Sequence, residues 1–125
     1  MNRTLLTVAG MLGLTAVMLG AFGAHGLRER LGTVIEVYRT GLLYHLVHAL
    51  AALAVALAAD RLRRPRLIVG LFGVGVAIFS GTLYLLAITG MTWLGAITPI
   101  GGLLLMAGWA LLLVEGFRVP RLRLV

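Results

Sequence analysis

Four stretches of this chain run for about twenty residues without a charged side chain: 4–24, 41–59, 67–89 and 94–114. Each is long enough, as a helix, to cross a hydrocarbon core about 30 Å thick. Lipid offers no water to pair backbone N–H and C=O groups, and a single apolar segment pairs them all internally only as a helix. The composition agrees with lipid as the solvent. It is 61% hydrophobic and 12% charged, about half the charged share of a soluble domain. The expected fold is therefore all-α: an integral membrane four-helix bundle, one domain over 1–125.

The net charge of +7 first suggests nucleic acid, but the placement of the arginines argues for a membrane. Arg3, Arg61, Arg63, Arg64, Arg66, Arg118, Arg121 and Arg123 fall on one side of a four-span chain, against Arg28, Arg30 and Arg39 on the other. Basic residues are retained in the cytoplasm, so both termini are expected there, in a multi-pass inner-membrane protein. The loop DRLRRPR (60–66) and the tail EGFRVPRLRLV (115–125) are expected to lie against anionic lipid head groups. No nucleic-acid partner is expected.

The first run resembles a signal peptide in having Asn2 and Arg3 before it and the small-residue end AFGA. A cleavable apolar core is about 7–15 residues, shorter than 4–24, so a retained first helix is expected. The chain has no cysteine, which excludes thiol catalysis, disulfides and cysteine metal sites.

Helices associate in lipid where small residues let backbones approach. The first span carries Ala9, Gly13, Ala16, Gly20 and Ala24; the second Ala49, Ala52, Ala56 and Ala59; the third Gly70, Gly73, Ala77 and Gly81. Spacings of three and four keep each set on one face, and each set is expected to be a helix–helix seam. Pro65 ends any continuation of the second helix through the basic loop. GMTW (90–93) reads as a tight outer turn with Trp93 at the interface. Thr33 and Glu36 match a capping box. The second helix is thus expected to begin near 34, with a short interfacial extension over 34–40 that carries Glu36 and Arg39.

The spans hold few polar residues, and counted at about 1.5 Å per residue these fall at one depth. His45 and His48 lie about 6–11 Å inside the outer end, Ser80 and Tyr84 about 8–14 Å, and Thr98, Pro99, Gly101 and Gly102 about 6–12 Å. His25 stands at the outer end of the first span. Tyr44 and His48 are four apart and His45 and His48 three apart, hence neighbours on a helix surface. Because His45 and His48 continue the stripe of Ala49 and Ala52, they are expected to face the bundle and meet the serine, tyrosine and threonine of neighbouring helices. Two readings of this layer stand side by side. One is a hydrogen-bonded register lock; the other is a functional site, the default for ionisable groups in a bilayer. Thr98-Pro99-Ile100-Gly101-Gly102 likewise marks either a broken helix that exposes carbonyls to a site or a proline tolerated near a helix start. The second is expected.

GAFGAHGL (20–27), TGLLYHLVH (40–48), FSGTLYLLAITG (79–90) and WLGAITPIGGLLLMAGW (93–109), in this order, carry a resemblance. The chain resembles the YgdD family of small bacterial membrane proteins, a domain-of-unknown-function family with eukaryotic relatives called transmembrane protein 256. The match spans nearly the whole chain and implies four spans and no particular activity. The positions that fit its pattern are Gly20, Gly23, His25, Gly41, Tyr44, His48, Ser80, Gly81, Tyr84, Thr98, Pro99, Gly101, Gly102 and Trp109. Where His45 stands the family commonly has glutamine, which shifts any site implied by the resemblance towards His48 and His25.

Several functions fit these observations. The small-residue stripes and tiny loops favour a non-enzymatic bundle that acts as an accessory or assembly partner, either as a homo-oligomer or in a larger complex. A small transporter or channel is the alternative. Glu29, Glu36, Asp60 and Glu115 all sit in loops or at span ends, so a carboxylate-based exporter mechanism is disfavoured and a neutral-solute or histidine proton route stays open. Metal or haem binding by His25, His45 and His48 is a third reading, although the spans hold no acids to complete a site and no c-type haem motif is present. No metal or cofactor is expected. A Ser80–His48 enzyme lacks an acid to orient the histidine.

Overall fold

A computed structural model describes residues 2–27 and 34–120. Four helices follow one another: α1 (Arg3–Phe22), α2 (Ile35–Leu57), α3 (Pro65–Thr89) and α4 (Leu94–Arg118). Each is long and apolar enough to cross a membrane, and no strand occurs among the described residues.

The helix ends follow from local chemistry. Asn2 opens α1, its side-chain oxygen accepting the Leu5 N–H at 3.1 Å. After Phe22 the chain widens into a π-helical turn over Gly23–Leu27. The helix α2 runs from Ile35 through position 41 without a break, so it projects beyond the uncharged run, and Glu36 pairs with Arg39 at 2.9 Å on its exposed face. Thr33, the expected cap, lies outside the described residues, as do Arg28, Glu29, Arg30 and the tail arginines Arg121 and Arg123. A short 3-10 turn, Ala59–Arg61, follows α2, and Pro65 takes the first position of α3, where its missing N–H costs nothing. Gly90 ends α3 at φ 72°, a left-handed conformation that glycine adopts without strain. Exposed Trp93 then leads into α4.

Pro99 lies inside α4, and the helix continues through Pro99, Gly101 and Gly102 to Arg118. The broken-helix reading is therefore set aside. One early N–H is missing, but the backbone stays helical on both sides of it.

The helices pack in chain order, α1 on α2, α2 on α3 and α3 on α4, with α1 touching α3 only lightly. Leu5, Ala56, Ala59, Ile68, Phe72 and Leu105 share one apolar cluster, joined by Leu62 and Leu112. The start of α1, the α2–α3 connection and the end of α4 thus meet at one end of the bundle. Exposed Arg61, Arg63, Arg64, Arg66 and Arg118 crown that end. At the other end Tyr38, Tyr84 and Ala87 form a second cluster with Leu19, Ile35 and Leu42 around it.

The small-residue stripes sort differently from expectation. Ala9 and Ala16 of α1 and Ala49, Ala52, Ala56 and Ala59 on and just after α2 are all buried. On α3, however, Gly70 and Ala77 are exposed, and a Cβ at Gly13, Gly70 or Gly81 would meet nothing within 4 Å. A Cβ at Gly73 would only reach Val8 at 3.9 Å, and one at Gly20 would make ordinary contact with Leu42 at 3.5 Å. The tight seam lies on the other face of α3. A Cβ on Gly75 would press on Leu105, one on Gly108 on Phe72, and one on Gly101 would come 2.8 Å from the Phe79 Cα. The reason is physical: when every face of a helix is compatible with lipid, small residues mark close approach only if a neighbour happens to use that face.

Candidate functional site

The polar side chains of the spans form a ladder of links between helices. They do not lie in one plane. Because α2 begins at Ile35, His45 and His48 lie about 15 and 20 Å along it, near its middle. Thr98 lies close to the start of α4, whereas Trp109 lies about 22 Å along that helix. Trp109, which was not among the residues expected in the outer layer, extends the ladder along α4.

His48 ties α2 to α4. Its Nδ1 lies 2.7 Å from the Tyr44 carbonyl oxygen one turn earlier, and the Trp109 indole N–H donates to its Nε2 at 2.9 Å. A carbonyl only accepts and an indole only donates, so the proton sits on Nδ1 and the lone pair on Nε2. Both nitrogens of this neutral imidazole are satisfied. Phe72 and Trp109 meet the ring edge-on at 5.3 and 5.9 Å, and Tyr44 stacks on it at 6.0 Å. Tyr44 itself is 40% exposed and packs on Phe79.

His45 ties α1 to α3 through α2. Its Nδ1 is 2.8 Å from the Tyr84 hydroxyl and its Nε2 3.1 Å from the Thr15 hydroxyl. Thr15 already has a carbonyl acceptor for its own proton, Met11 O at 2.8 Å. The arrangement that satisfies every group therefore has Tyr84 donating to Nδ1 and Nε2–H donating to Thr15. Tyr84 also packs on Tyr38, ring centroids 4.9 Å apart, and the Tyr38 hydroxyl donates to the Leu19 carbonyl of α1.

The smaller groups are paired as well. Ser80 donates to the Gly41 carbonyl at 2.7 Å. The absence of a side chain at Gly41 lets α3 come that close, since a Cβ there would sit 3.3 Å from the Ser80 carbonyl. Thr98 meets Thr82 at 2.6 Å, and each also reaches a carbonyl of its own helix. Of the contacts expected for the histidines, the one to Tyr84 forms; Thr15 and Trp109 take the places of Thr98 and Ser80, which pair with Thr82 and the Gly41 carbonyl instead. His25 is exposed in the middle of the π-helical turn.

These geometries limit the chemistry available. His45 and His48 turn to different neighbours, so they do not converge on a shared ion, and no three His, Asp or Glu side chains gather as metal ligands among the described residues. Ser80 is held by Gly41 while His48 is held by Trp109, so the two do not form a nucleophile–base pair.

One group was not singled out from sequence. Glu115 is only 1% exposed, and its Oε2 accepts the Arg63 backbone N–H at 2.9 Å, stitching the α2–α3 connection to the end of α4. Its Oε1 has no hydrogen-bond partner among the described residues. The available signal was that Glu115 alone interrupts the apolar run that begins at Leu94 and reaches Phe117. Thr15, Tyr38 and Thr82 were likewise passed over. Each is a hydroxyl in or beside an apolar span, and such a group needs a partner when buried.

A small multi-pass membrane protein with an internally paired polar core is the class that fold and site define. Within it, the chain belongs to the family described as "Protein of unknown function (DUF423)", whose model matches residues 19–102. It is 40% identical over 109 residues to the UPF0382 membrane protein YwdK of Bacillus subtilis (strain 168), covering 84% of this chain and 89% of that one. It is 38% identical over 127 residues to the UPF0382 inner membrane protein YgdD of Escherichia coli (strain K12), covering 96% and 94%. A UPF0382 membrane protein of Haemophilus influenzae is 40% identical over 120 residues, covering 94% and 97%. No solved structure matches the chain. The four spanning helices and these relatives place the protein in the inner membrane.

Proposed function

We propose that the protein is a non-enzymatic membrane accessory or assembly partner, a rigid bundle with both termini on the cytoplasmic side. One observation carries this reading: the polar groups in the middle of the spans have their partners within the bundle. Both nitrogens of His45 and His48 and the hydroxyls of Ser80, Thr82, Tyr84 and Thr98 have partners within the bundle. Such a molecule acts through its lipid-facing surfaces, where Leu103, Met106, Leu113 and Phe117 of α4 stand exposed. The orientation rests on the arginines gathered at one end.

The test is crosslinking in native membranes from a photoreactive residue at Leu103 or Met106, followed by affinity purification. A discrete heavier species, either a homo-oligomer or a complex with a defined partner, supports the proposal. Recovery of the monomer alone, together with solute flux in proteoliposomes, overturns it. The chain lacks cysteine, so single cysteines at Thr92 and Arg64 report the two ends, and labelling of Thr92→Cys from outside is the expected result.

A second reading, a transporter or channel for a neutral solute or protons, is favoured by one feature. The Tyr84–His45–Thr15 chain borders a groove of about 260 Å³ between α1 and α3. A pH-sensitive dye inside proteoliposomes tests it, with His45→Leu expected to abolish any flux through that chain.

A further inference from the structure

The light contact between α1 and α3 leaves an open trough along the bundle. At the basic end its walls include Thr4, Val8, Arg66, Gly70 and Gly73, enclosing about 310 Å³. Arg3 borders the adjoining hollow, which shares Thr4 and Val8. Gly73 also lines the deeper groove of about 260 Å³, whose wall runs on through Ala77 to Gly81. The two hollows therefore form one channel along α3. Its floor is the small-residue stripe, where a Cβ at Gly70 or Gly81 would meet nothing within 4 Å. From Arg66 to Gly81 the helix rises about 22 Å, more than the ~15 Å half-thickness of a hydrocarbon core.

We propose that this trough is a binding site for one anionic glycerophospholipid. Its phosphate sits between Arg3 and Arg66, with the Thr4 hydroxyl as a further donor, and one acyl chain lies along Gly70, Gly73, Ala77 and Gly81. Two features choose this occupant over a helix from a second copy. The mouth carries guanidinium groups, which match phosphate in charge and hydrogen-bond geometry. The floor accepts a chain that ends in a charged head at the membrane surface, whereas a helix laid on it would bring apolar side chains against both arginines. The site is independent of the accessory role proposed above.

The experiment is native mass spectrometry of delipidated full-length protein, titrated with phosphatidylglycerol or phosphatidylcholine of identical acyl chains. One phosphatidylglycerol is expected to stay bound under activation that strips phosphatidylcholine. At about the surface attraction typical of each arginine, the double variant R3Q/R66Q weakens that adduct about thirtyfold and leaves phosphatidylcholine binding unchanged. Gly70→Leu fills open space and is expected to remove the adduct while leaving the helical circular dichroism and thermal melt intact. Gly81→Leu is the second filling variant should the first not fold. Equal retention of both lipids overturns the proposal. So does a phosphatidylglycerol preference that survives R3Q/R66Q, because the remaining arginines would then be acting as a diffuse charge. A dimer that excludes lipid from the trough would assign the face to a second copy and overturn it as well.

Discussion

The indole N–H of Trp109 donates to Nε2 of His48 at 2.9 Å, joining two helices that otherwise touch little. The bond fixes the tautomer of His48, because the other ring nitrogen faces a carbonyl that only accepts. It also sets the register of α4 against α2, since Phe72 of α3 is wedged against both rings, at 5.3 Å from His48 and 5.2 Å from Trp109.

The pair is expected to be energetically coupled. In a double-mutant cycle of His48→Leu and Trp109→Phe, measured by reversible unfolding in bicelles, the coupling should fall between about 0.6 and 1.7 kcal/mol, the range for hydrogen bonds between membrane helices. Simple additivity would show that the bond contributes nothing to holding α4.

His45 should tolerate glutamine and resist leucine. The glutamine amide supplies both a donor and an acceptor, enough for the Thr15 and Tyr84 hydroxyls that flank His45. His45→Gln is expected to stay within about 0.6 kcal/mol of the parent. His45→Leu leaves the buried Tyr84 hydroxyl without its acceptor and is expected to cost about 1–3 kcal/mol. A leucine variant as stable as the glutamine one would remove these hydroxyls from any account of stability.

Glycines of the same span type should diverge. Gly101→Ala places a methyl group against the backbone of Phe79 and Gly75, and relieving that overlap is expected to cost about 1–3 kcal/mol. Gly81→Ala enters open space and should be neutral or slightly stabilising, up to about 1 kcal/mol from helix propensity. Thermal melts of the two variants in one detergent decide the matter.

At the basic end, Glu115→Gln keeps a carbonyl to accept the Arg63 N–H and is expected to retain most of the parent stability. Glu115→Leu removes the acceptor from a buried contact and should cost about 1–3 kcal/mol. Faster amide exchange at Arg63 in the leucine variant alone would locate the effect. Equal exchange in all three proteins would show that the contact does not hold the loop.

The helices and their ends could be read directly because lipid imposes its demand on each segment separately. An uncharged run of this length must pair its own backbone, and Pro65 and Gly90 act on the dihedrals of their immediate neighbours. The inward turn of His45 and His48 was legible for a related reason: burying polar groups against lipid is costly, and they share a face with Ala49 and Ala52. Of their partners only the tyrosine was legible, and the pairing of each ring nitrogen was not. Thr15, Tyr84 and Trp109 are brought to the histidines by helices 30, 39 and 61 residues away in sequence. No local rule sets that register.

What the sequence determined by itself, then, is that this chain crosses the membrane four times as helices, with most of its arginines on one side. Each of those outcomes is a transaction between one segment and its solvent. Which faces meet was decided only in the tertiary structure. Gly75, Gly101 and Gly108 lie in the tight seam while Gly70 and Gly81 are left open, because an all-apolar helix has no polar face to direct it. Close packing and a few hydrogen bonds, which exist only once the helices are assembled, choose among faces that the lipid treats alike.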